Sequence, residues 1–450
     1  MNVTKTLFIS LLMWLLVAAS LNASVLSSLA ASMQPGTWAQ LTTNNDVQAL
    51  ATESGMSGIL TGYSFSGIWD PVGKRIHFMG ADHHGGQAGY GQKWVYYDDA
   101  TNSWVVYGGG TGNVEGLAQV MPLIPQHGFD HLTIDPVGRM LYLYAYGSKN
   151  IWKYPLSSSG PWTSISMPAT GYINITTGME WFPGMGLTVY ITGEASGEEM
   201  VMNAAGNWTD LTGWGPTGGG YSGFAEYSPN HHVVVFGGPS AGDAKQIWRM
   251  DSNKTITKLT SAPFPLGQCR GNVVADPVTG DYLVLGNGQF WALDPSGAGT
   301  WTIQTGSRVP PSGVGNPISD PSGVISTAIS SYGVILYTSC RIGNCTQYLY
   351  KHAAGTGAEN EVRADSKTAA PVSVWPNPVT GMLQISALFT AGGLRAGLYT
   401  ITGQCIADFS SALKIDKTLS WDASHLSNGV YLLKAIQGSR TFVKQVLIQK

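Results

Sequence analysis

Histidines, carboxylates and tyrosines gather in two neighbouring stretches of this 450-residue chain. Asp82, His83, His84 and Tyr90 stand in the first, which is glycine-rich, and His127, Asp130 and His131 in the second. Imidazole nitrogen and carboxylate oxygen are ligands for zinc or another divalent ion. One expectation is therefore a divalent metal held by His83, His84, His127 and His131. Their spacing matches no compact ligand motif such as His-Glu-x-x-His, and loop histidines beside glycines commonly bond to backbone carbonyls instead. The cofactor stays open at this level.

A second expectation is polysaccharide cleavage by β-elimination. That reaction needs a base for the proton α to a uronate carboxylate and a cation for the developing enolate. His127 or His84 with Tyr221 supplies the proton chemistry, and Arg270 the charge. Glycoside hydrolysis would instead need a carboxylate pair, for which Asp82 and Asp130 are the nearest candidates. The simplest reading involves no turnover. Tyr63, Asp82, His83, His84, Tyr90, Glu194 and Arg341, with Tyr221, form an aromatic and polar rim able to stack sugar rings or grip a surface protein. A recognition module, for glycan, is the first reading, and a polysaccharide-degrading enzyme of lyase type on the same face is the alternative. A structural surface protein is a third, and whether the chain is an enzyme stays open.

Such residues need a scaffold that brings distant loops to one rim, and a repeated unit supplies it. From Ser66 to Tyr107 the chain reads as four short strands joined by tight turns. The first stops at Asp70-Pro71, where proline fixes φ and has no N–H to donate. Arg75 to Met79 and Lys93 to Tyr97 follow, rich in apolar and aromatic residues suited to a buried sheet, and the fourth strand holds Trp104. The end of the first strand recurs at Asp135, Phe182, Ser228, Asp276 and Ser331. The third strand recurs at Trp152, Met200, Trp248, Trp291 and Tyr348, and the fourth at Trp162, Trp208, Ile256 and Trp301. Strands one to three thus occur six times but the fourth only five, and Thr37-Trp38-Ala39-Gln40-Leu41 has the missing form. The expectation is a six-bladed β-propeller over residues 36–352, closed by Trp38 beside the third strand of the last unit. Loops between strands two and three, and connections between units, then share one face, and the candidate residues lie there.

These units resemble the kelch family of β-propellers. Gly80, Gly147, Gly193 and the Gly237-Gly238 pair stand near that family's glycine position, and Trp104, Trp162, Trp208 and Trp301 at its tryptophan position. The paired glycine is reduced in most units, and Ile256 replaces one tryptophan.

Composition agrees with an exported all-β chain. Only 11% of residues are charged, glycine numbers 58 and tryptophan 15, and a net charge of −3 gives no basic field for nucleic acid. Met1 to Ala23 has Lys5 as its one charge, an apolar run from Leu7 to Ala19 and small residues near Ala23, the layout of a signal peptide over residues 1–23. The run is short for a membrane span, and nothing beyond it is long and apolar enough to cross one, so an integral membrane protein is not expected.

Residues 353–371 are polar and lack apolar periodicity, as in a linker. Residues 372–450 form a second, small β-sandwich: Met382 to Ile385, Ala396 to Gln404, Leu426 to Lys434 and Phe442 to Ile448 alternate as strands. The Trp375 to Pro378 opening, the Gly403-Gln404 turn, the Asn428 to Tyr431 segment and the lysine-bearing last strand strongly resemble the C-terminal sorting domain of the type IX secretion system. That resemblance implies the type IX machinery as partner and a secreted or cell-surface destination beyond both membranes. An oxidising destination suits a disulfide between Cys340 and Cys345, which flank a short hairpin loop in the sixth unit.

Overall fold

The repeated turn has a plain physical basis. Asp70 Oδ1 accepts the Val72 N–H at 3.0 Å, and Asp135 Oδ1 accepts those of Val137 and Gly138, both at 3.0 Å. Asp276 Oδ2 takes the N–H groups of Val278 and Thr279. Each aspartate satisfies turn amides that the strand ladder leaves open. The last turn residue lies in the left-handed region, at Lys74 (φ 53°), Arg139 (φ 50°), His232 (φ 53°), Gly280 (φ 82°) and Gly333 (φ 64°). It redirects the chain into the next strand.

The structure, a computed structural model, describes residues 23–47, 61, 64, 67–79, 94–106, 130–144, 150–158, 161–167, 178–192, 197–203, 206–211, 223–238, 244–266, 270–315, 322–341, 344–353, 372–375, 381–387, 395–400, 404–410, 418–437 and 440–448. The chain divides into two compact units, Met1–Gly357 and Ala358–Lys450.

The first unit opens with helix α1 (Val25–Ser32) and strand β1 (Thr37–Leu41). Five four-stranded antiparallel sheets follow in chain order: β2 (Ile68–Asp70), β3 (Arg75–Met79), β4 (Trp94–Asp98) and β5 (Ser103–Val106); β6 (Leu132–Asp135), β7 (Met140–Tyr144), β8 (Asn150–Pro155) and β9 (Thr163–Ser166); β10 (Gly178–Phe182), β11 (Gly186–Thr192), β12 (Gly197–Met202) and β13 (Trp208–Leu211); β14 (Phe224–Ser228), β15 (Val233–Gly237), β16 (Ile247–Asp251) and β17 (Ile256–Lys258); β18 (Gly271–Ala275), β19 (Tyr282–Gly286), β20 (Gln289–Asp294) and β21 (Thr300–Ile303). The sixth has β22 (Ser322–Ile329), β23 (Val334–Arg341) and β24 (Asn344–Lys351), with β1 as its fourth strand. Each first strand touches the first strands of the preceding and following sheets, and β22 returns to β2. The arrangement is propeller-like, and the apolar side chains of adjacent sheets share their cores.

Trp38 lies opposite Tyr350 in the β1–β24 register. Its ring packs 4.6 Å from Tyr350, 5.1 Å from Tyr337 and 5.5 Å from Phe290, and its Nε1 donates to the Arg308 carbonyl at 2.8 Å. Cys340 and Cys345 face each other across β23 and β24 and form the expected disulfide. In the sixth unit the first strand ends at Ile329 rather than Ser331. Ile329 pairs with Val334, leaving Ser331 in the turn, where its hydroxyl accepts from Trp69 Nε1 and Lys74 Nζ. That unit has no Asp-Pro to mark the stop. Helix α1 was not expected. Ser24 caps it through Ser27 N–H at 3.0 Å, and Leu26 and Ala30 enter the core shared with Trp69 and Leu41. The expected signal peptide lies almost wholly outside the described residues, as does nearly all of the expected linker. Among the described residues no helix is long and apolar enough to cross a membrane.

The second unit has a three-stranded sheet of β25 (Val372–Trp375), β26 (Met382–Ala387) and β29 (Thr418–Asp422). Beside it stands a four-stranded sheet of β28 (Cys405–Asp408), β27 (Arg395–Thr400), β30 (Gly429–Gln437) and β31 (Arg440–Ile448). Leu383 and Ile385 from one sheet share a core with Leu398, Leu433 and Val446 from the other. Strands β25, β28 and β29 go beyond the sequence expectation.

Because Trp38 joins the two ends of the first unit through one ring, Trp38→Ala is expected to cost about 3 kcal/mol. Thermal unfolding should begin several degrees lower. A midpoint within one degree of the parent would show that β1 contributes little to closure.

Candidate functional site

Six first strands converge on one axis, and their ends surround a recess of about 290 Å³. A proline from each of the first five sheets (Pro71, Pro136, Pro183, Pro229 and Pro277) stands in its wall, with Ser330 from the sixth. Rigid, apolar proline rings at a turn where no N–H is needed make a fixed rim. Trp69, Trp181 and Tyr227 add aromatic surface. Trp181 is stacked on Tyr142 with ring centroids 5.6 Å apart, and Tyr227 packs on Phe182 at 5.0 Å, so both rings are held in place.

Two carboxyl groups enter this wall. Glu180 on β10 and Glu226 on β14 each stand two residues before the end of their strand. Thr133 Oγ1 donates to Glu180 Oε2 at 3.1 Å and accepts the Trp181 N–H at 3.0 Å, which fixes the orientation of the carboxyl. Burial first, and then the charges of Glu226 and Asp130, hold Glu180 well above the usual carboxylate range, against the smaller pull of the Thr133 hydroxyl. Carboxyl groups crowded in a poorly hydrated space cannot all ionise together. The site thus favours the protonated form of Glu180, which offers both a donor and an acceptor, beside a second carboxyl group. Burial and Glu180 also push the Tyr227 hydroxyl up to about 12. The recess can accept from and donate to ligand hydroxyls, and it can hold a positive charge. It disfavours anions.

Asp130 helps to build this wall. It is 2% exposed, its backbone bridges Gly178, and its Oδ2 accepts the Ala225 N–H at 2.6 Å, linking the second, third and fourth sheets. A Cβ on Gly178 would come within 2.6 Å of the Phe224 and Ala225 backbone, so only glycine fits there. His131 is also interior, at 1% exposure, with its ring edge-on to Tyr144 at 4.9 Å. Both side chains thus lie in the interior rather than on an exposed loop, and the other expected metal ligands, His83, His84 and His127, lie outside the described residues.

Of the other residues expected at the long-loop face, Arg270 is exposed at the entry to β18, and Arg341 is exposed at the end of β23, opposite Asn344. They stand on different sheets, and the structure shows no shared site between them. Tyr63, Asp82, His83, His84, Tyr90, His127, Glu194 and Tyr221 lie outside the described residues. Sequence reasoning passed over Glu180 and Glu226 because it sought the site on the face that carries the long loops. The signal was a carboxylate inside a first strand, where the other units have Ile68, Thr133, Val274 and Thr327. Such a group is costly to bury without a purpose.

Comparison with known proteins identifies the second unit. Residues 373–449 match the Secretion system C-terminal sorting domain, so the chain carries a type IX export signal and is destined for the cell surface or beyond. No curated protein matches by sequence. Among solved structures, virginiamycin B lyase from Staphylococcus aureus is similar at 10% identity and a TM-score of 0.39, over 75% of this chain and 95% of that one. Regucalcin, a calcium-binding protein from Agrobacterium tumefaciens, is similar at 10% identity and 0.38, over 66% and 93%. The β-propeller domain of Cps50 (Swd1) from Myceliophteria thermophila is similar at 9% and 0.34, over 69% and 99%.

A raised folded-state pKa on an acid means that the folded chain holds a proton the unfolded chain has lost. Stability from this group is therefore greatest below about pH 4.3 and falls as pH rises toward the folded value. Glu180→Gln removes that slope. Its unfolding midpoint should gain on the parent as pH rises above about 4.3, and a difference that stays constant with pH would mean that burial and the neighbouring carboxylates do not raise Glu180.

Proposed function

We propose that this protein is an exported recognition module: a six-bladed, kelch-like β-propeller that binds glycan ends in its axial recess, delivered by a C-terminal sorting domain of β-sandwich form. The observation that supports this reading is the pairing of Glu180 and Glu226 with Trp181 and Tyr227 in one proline-rimmed recess. Carboxyl groups bond sugar hydroxyls, and aromatic and proline surfaces receive the apolar faces of a sugar ring. Small-molecule sites commonly span about 300 to 1,000 Å³. A recess of about 290 Å³ therefore suits one terminal sugar ring rather than the middle of a chain. Its two carboxyl groups favour neutral or amino-bearing sugars over uronates.

The lyase-type alternative places His127, Tyr221 and Arg270 at the opposite face and requires an anionic substrate. No histidine or arginine lines the recess among the described residues, so the two readings assign different faces and different ligand charges.

Calorimetric titration with neutral, amino and uronic oligosaccharides separates them. Binding of a neutral or amino sugar should weaken about tenfold or more in Trp181→Ala and in Glu226→Gln, with no turnover. Ultraviolet absorbance from unsaturated uronates that vanishes in His127→Ala would replace this reading with the lyase. Sugar binding that both recess variants leave intact would move the site to the other face.

A further inference from the structure

A second cavity, of about 230 Å³, lies between the first and second sheets. Second and third strands line it, where first strands line the axial recess: Arg75 and His77 come from β3, Trp94 and Tyr96 from β4, and Tyr154 from β8. Strand alternation explains the grouping. Arg75 and His77 stand two residues apart, and Tyr96 lies opposite His77 in the β3–β4 register, so the three share one face of the first sheet.

His77 is buried, at 3% exposure. The Trp94 indole, which can only donate, gives its Nε1 proton to His77 Nδ1 at 3.1 Å. Nδ1 is therefore an acceptor, and the neutral ring carries its own proton on Nε2. Burial pushes the imidazole down to about 4, with smaller effects from Asp70, Arg75 and Arg139, so the ring is neutral near pH 7. Nε2 points away from Trp94 and has no hydrogen-bond partner among the described residues. A buried N–H without an acceptor is costly. A ligand oxygen in the cavity would supply one.

Arg75 adds charge to the same wall. Its Nε donates to Asp98 Oδ2 at 3.0 Å, and its guanidinium lies 4.7 Å from the centre of the Tyr96 ring. A carboxylate on one edge and an aromatic face beneath hold the planar group in place. Among the described residues its hydrogen bonds go through Nε alone, which leaves the terminal nitrogens to face a ligand. Trp94 and Tyr154 pack edge to face at 5.1 Å and give a fixed apolar wall. Exposed Ser157 and Ser158 add hydroxyls from the second sheet.

We propose that this cavity binds the carboxylate of a small organic acid, with His77 Nε2–H and the Arg75 guanidinium as its donors. Both of those groups only donate here, and an ionised carboxylate only accepts. A space below the usual 300 to 1,000 Å³ of small-molecule sites suits a ligand of about one ring, whose apolar part lies against Trp94 and Tyr154. The axial recess, with its two carboxyl groups, disfavours anions, so the two cavities select ligands of opposite character.

The test titrates the full chain by calorimetry with glucuronate, with benzoate and with glucose. One equivalent of glucuronate or of benzoate should bind, and glucose should not. Glucuronate alone would make the ligand a sugar acid, and benzoate alone an apolar acid. Arg75→Gln removes the charge at an exposed position, where the pair with Asp98 contributes little to stability. It should weaken acid binding about tenfold or more while the unfolding midpoint stays near the parent value. His77→Leu should weaken binding as well, and Arg75→Gln keeps the test decisive should that variant fail to fold. No saturable binding of either acid, glucose bound as tightly as the acids, or binding that Arg75→Gln leaves intact overturns the proposal. Acid binding lost in Trp181→Ala would place the ligand in the axial recess and overturn it equally.

Discussion

Five residue pairs between Thr37–Leu41 and Gln347–Lys351 hold the first unit together. They join segments at opposite ends of that unit, and they leave the sixth sheet with the same four strands as the other five. Without them, β24 would present an open edge with unpaired backbone groups. With them, the six first strands are pressed into one cycle, and their ends have nowhere to lie but around a common axis. The recess, the proline rim and the crowding of Glu180 with Glu226 all follow from that closure.

The cost of closure is concentrated at the axis. A first strand is flanked by two others, so a carboxylate on it loses water and needs a partner. Asp130 meets this by accepting a backbone N–H, and Asp70 by pairing with Arg139 of the next sheet at 2.5 Å. Burial pushes the Asp70 carboxyl up, but Arg139 and the amides of Gly73 and Val72 outweigh it and hold it below its ordinary value. Glu180 has the Thr133 hydroxyl against burial and two neighbouring carboxylates, and is driven well above its ordinary value instead. The same scaffold thus drives two acids in opposite directions, and the one left under tension is the one that faces a ligand-sized space.

Local chemistry was legible in the sequence. Asp-Pro stops, aromatic third strands and the orphan strand around Trp38 predicted the sheets and the partner of β1, and the close Cys340–Cys345 spacing predicted the disulfide. The sorting motifs near Trp375 and Asn428 predicted the second unit. Alternation tells which side of a strand a residue faces, but it does not tell how far along the axis the residue lies or what neighbouring sheets place opposite it. Glu180 and Glu226, in different sheets, therefore read as ordinary strand residues, and Asp130 and His131 read as loop residues although both are buried. Ser331 was mistaken for a strand end because no proline follows Ile329. Helix α1 has only eight residues and a serine cap, too short a pattern to stand out beside the expected signal peptide.

A crystal structure of the full chain soaked with a short neutral or amino-bearing oligosaccharide tests the central claim most directly. The account predicts a terminal sugar ring in the axial recess, hydrogen-bonded to Glu180 and Glu226 and lying against Trp181 or Tyr227. A sugar bound only at the long-loop face, with the recess filled by water, would contradict it.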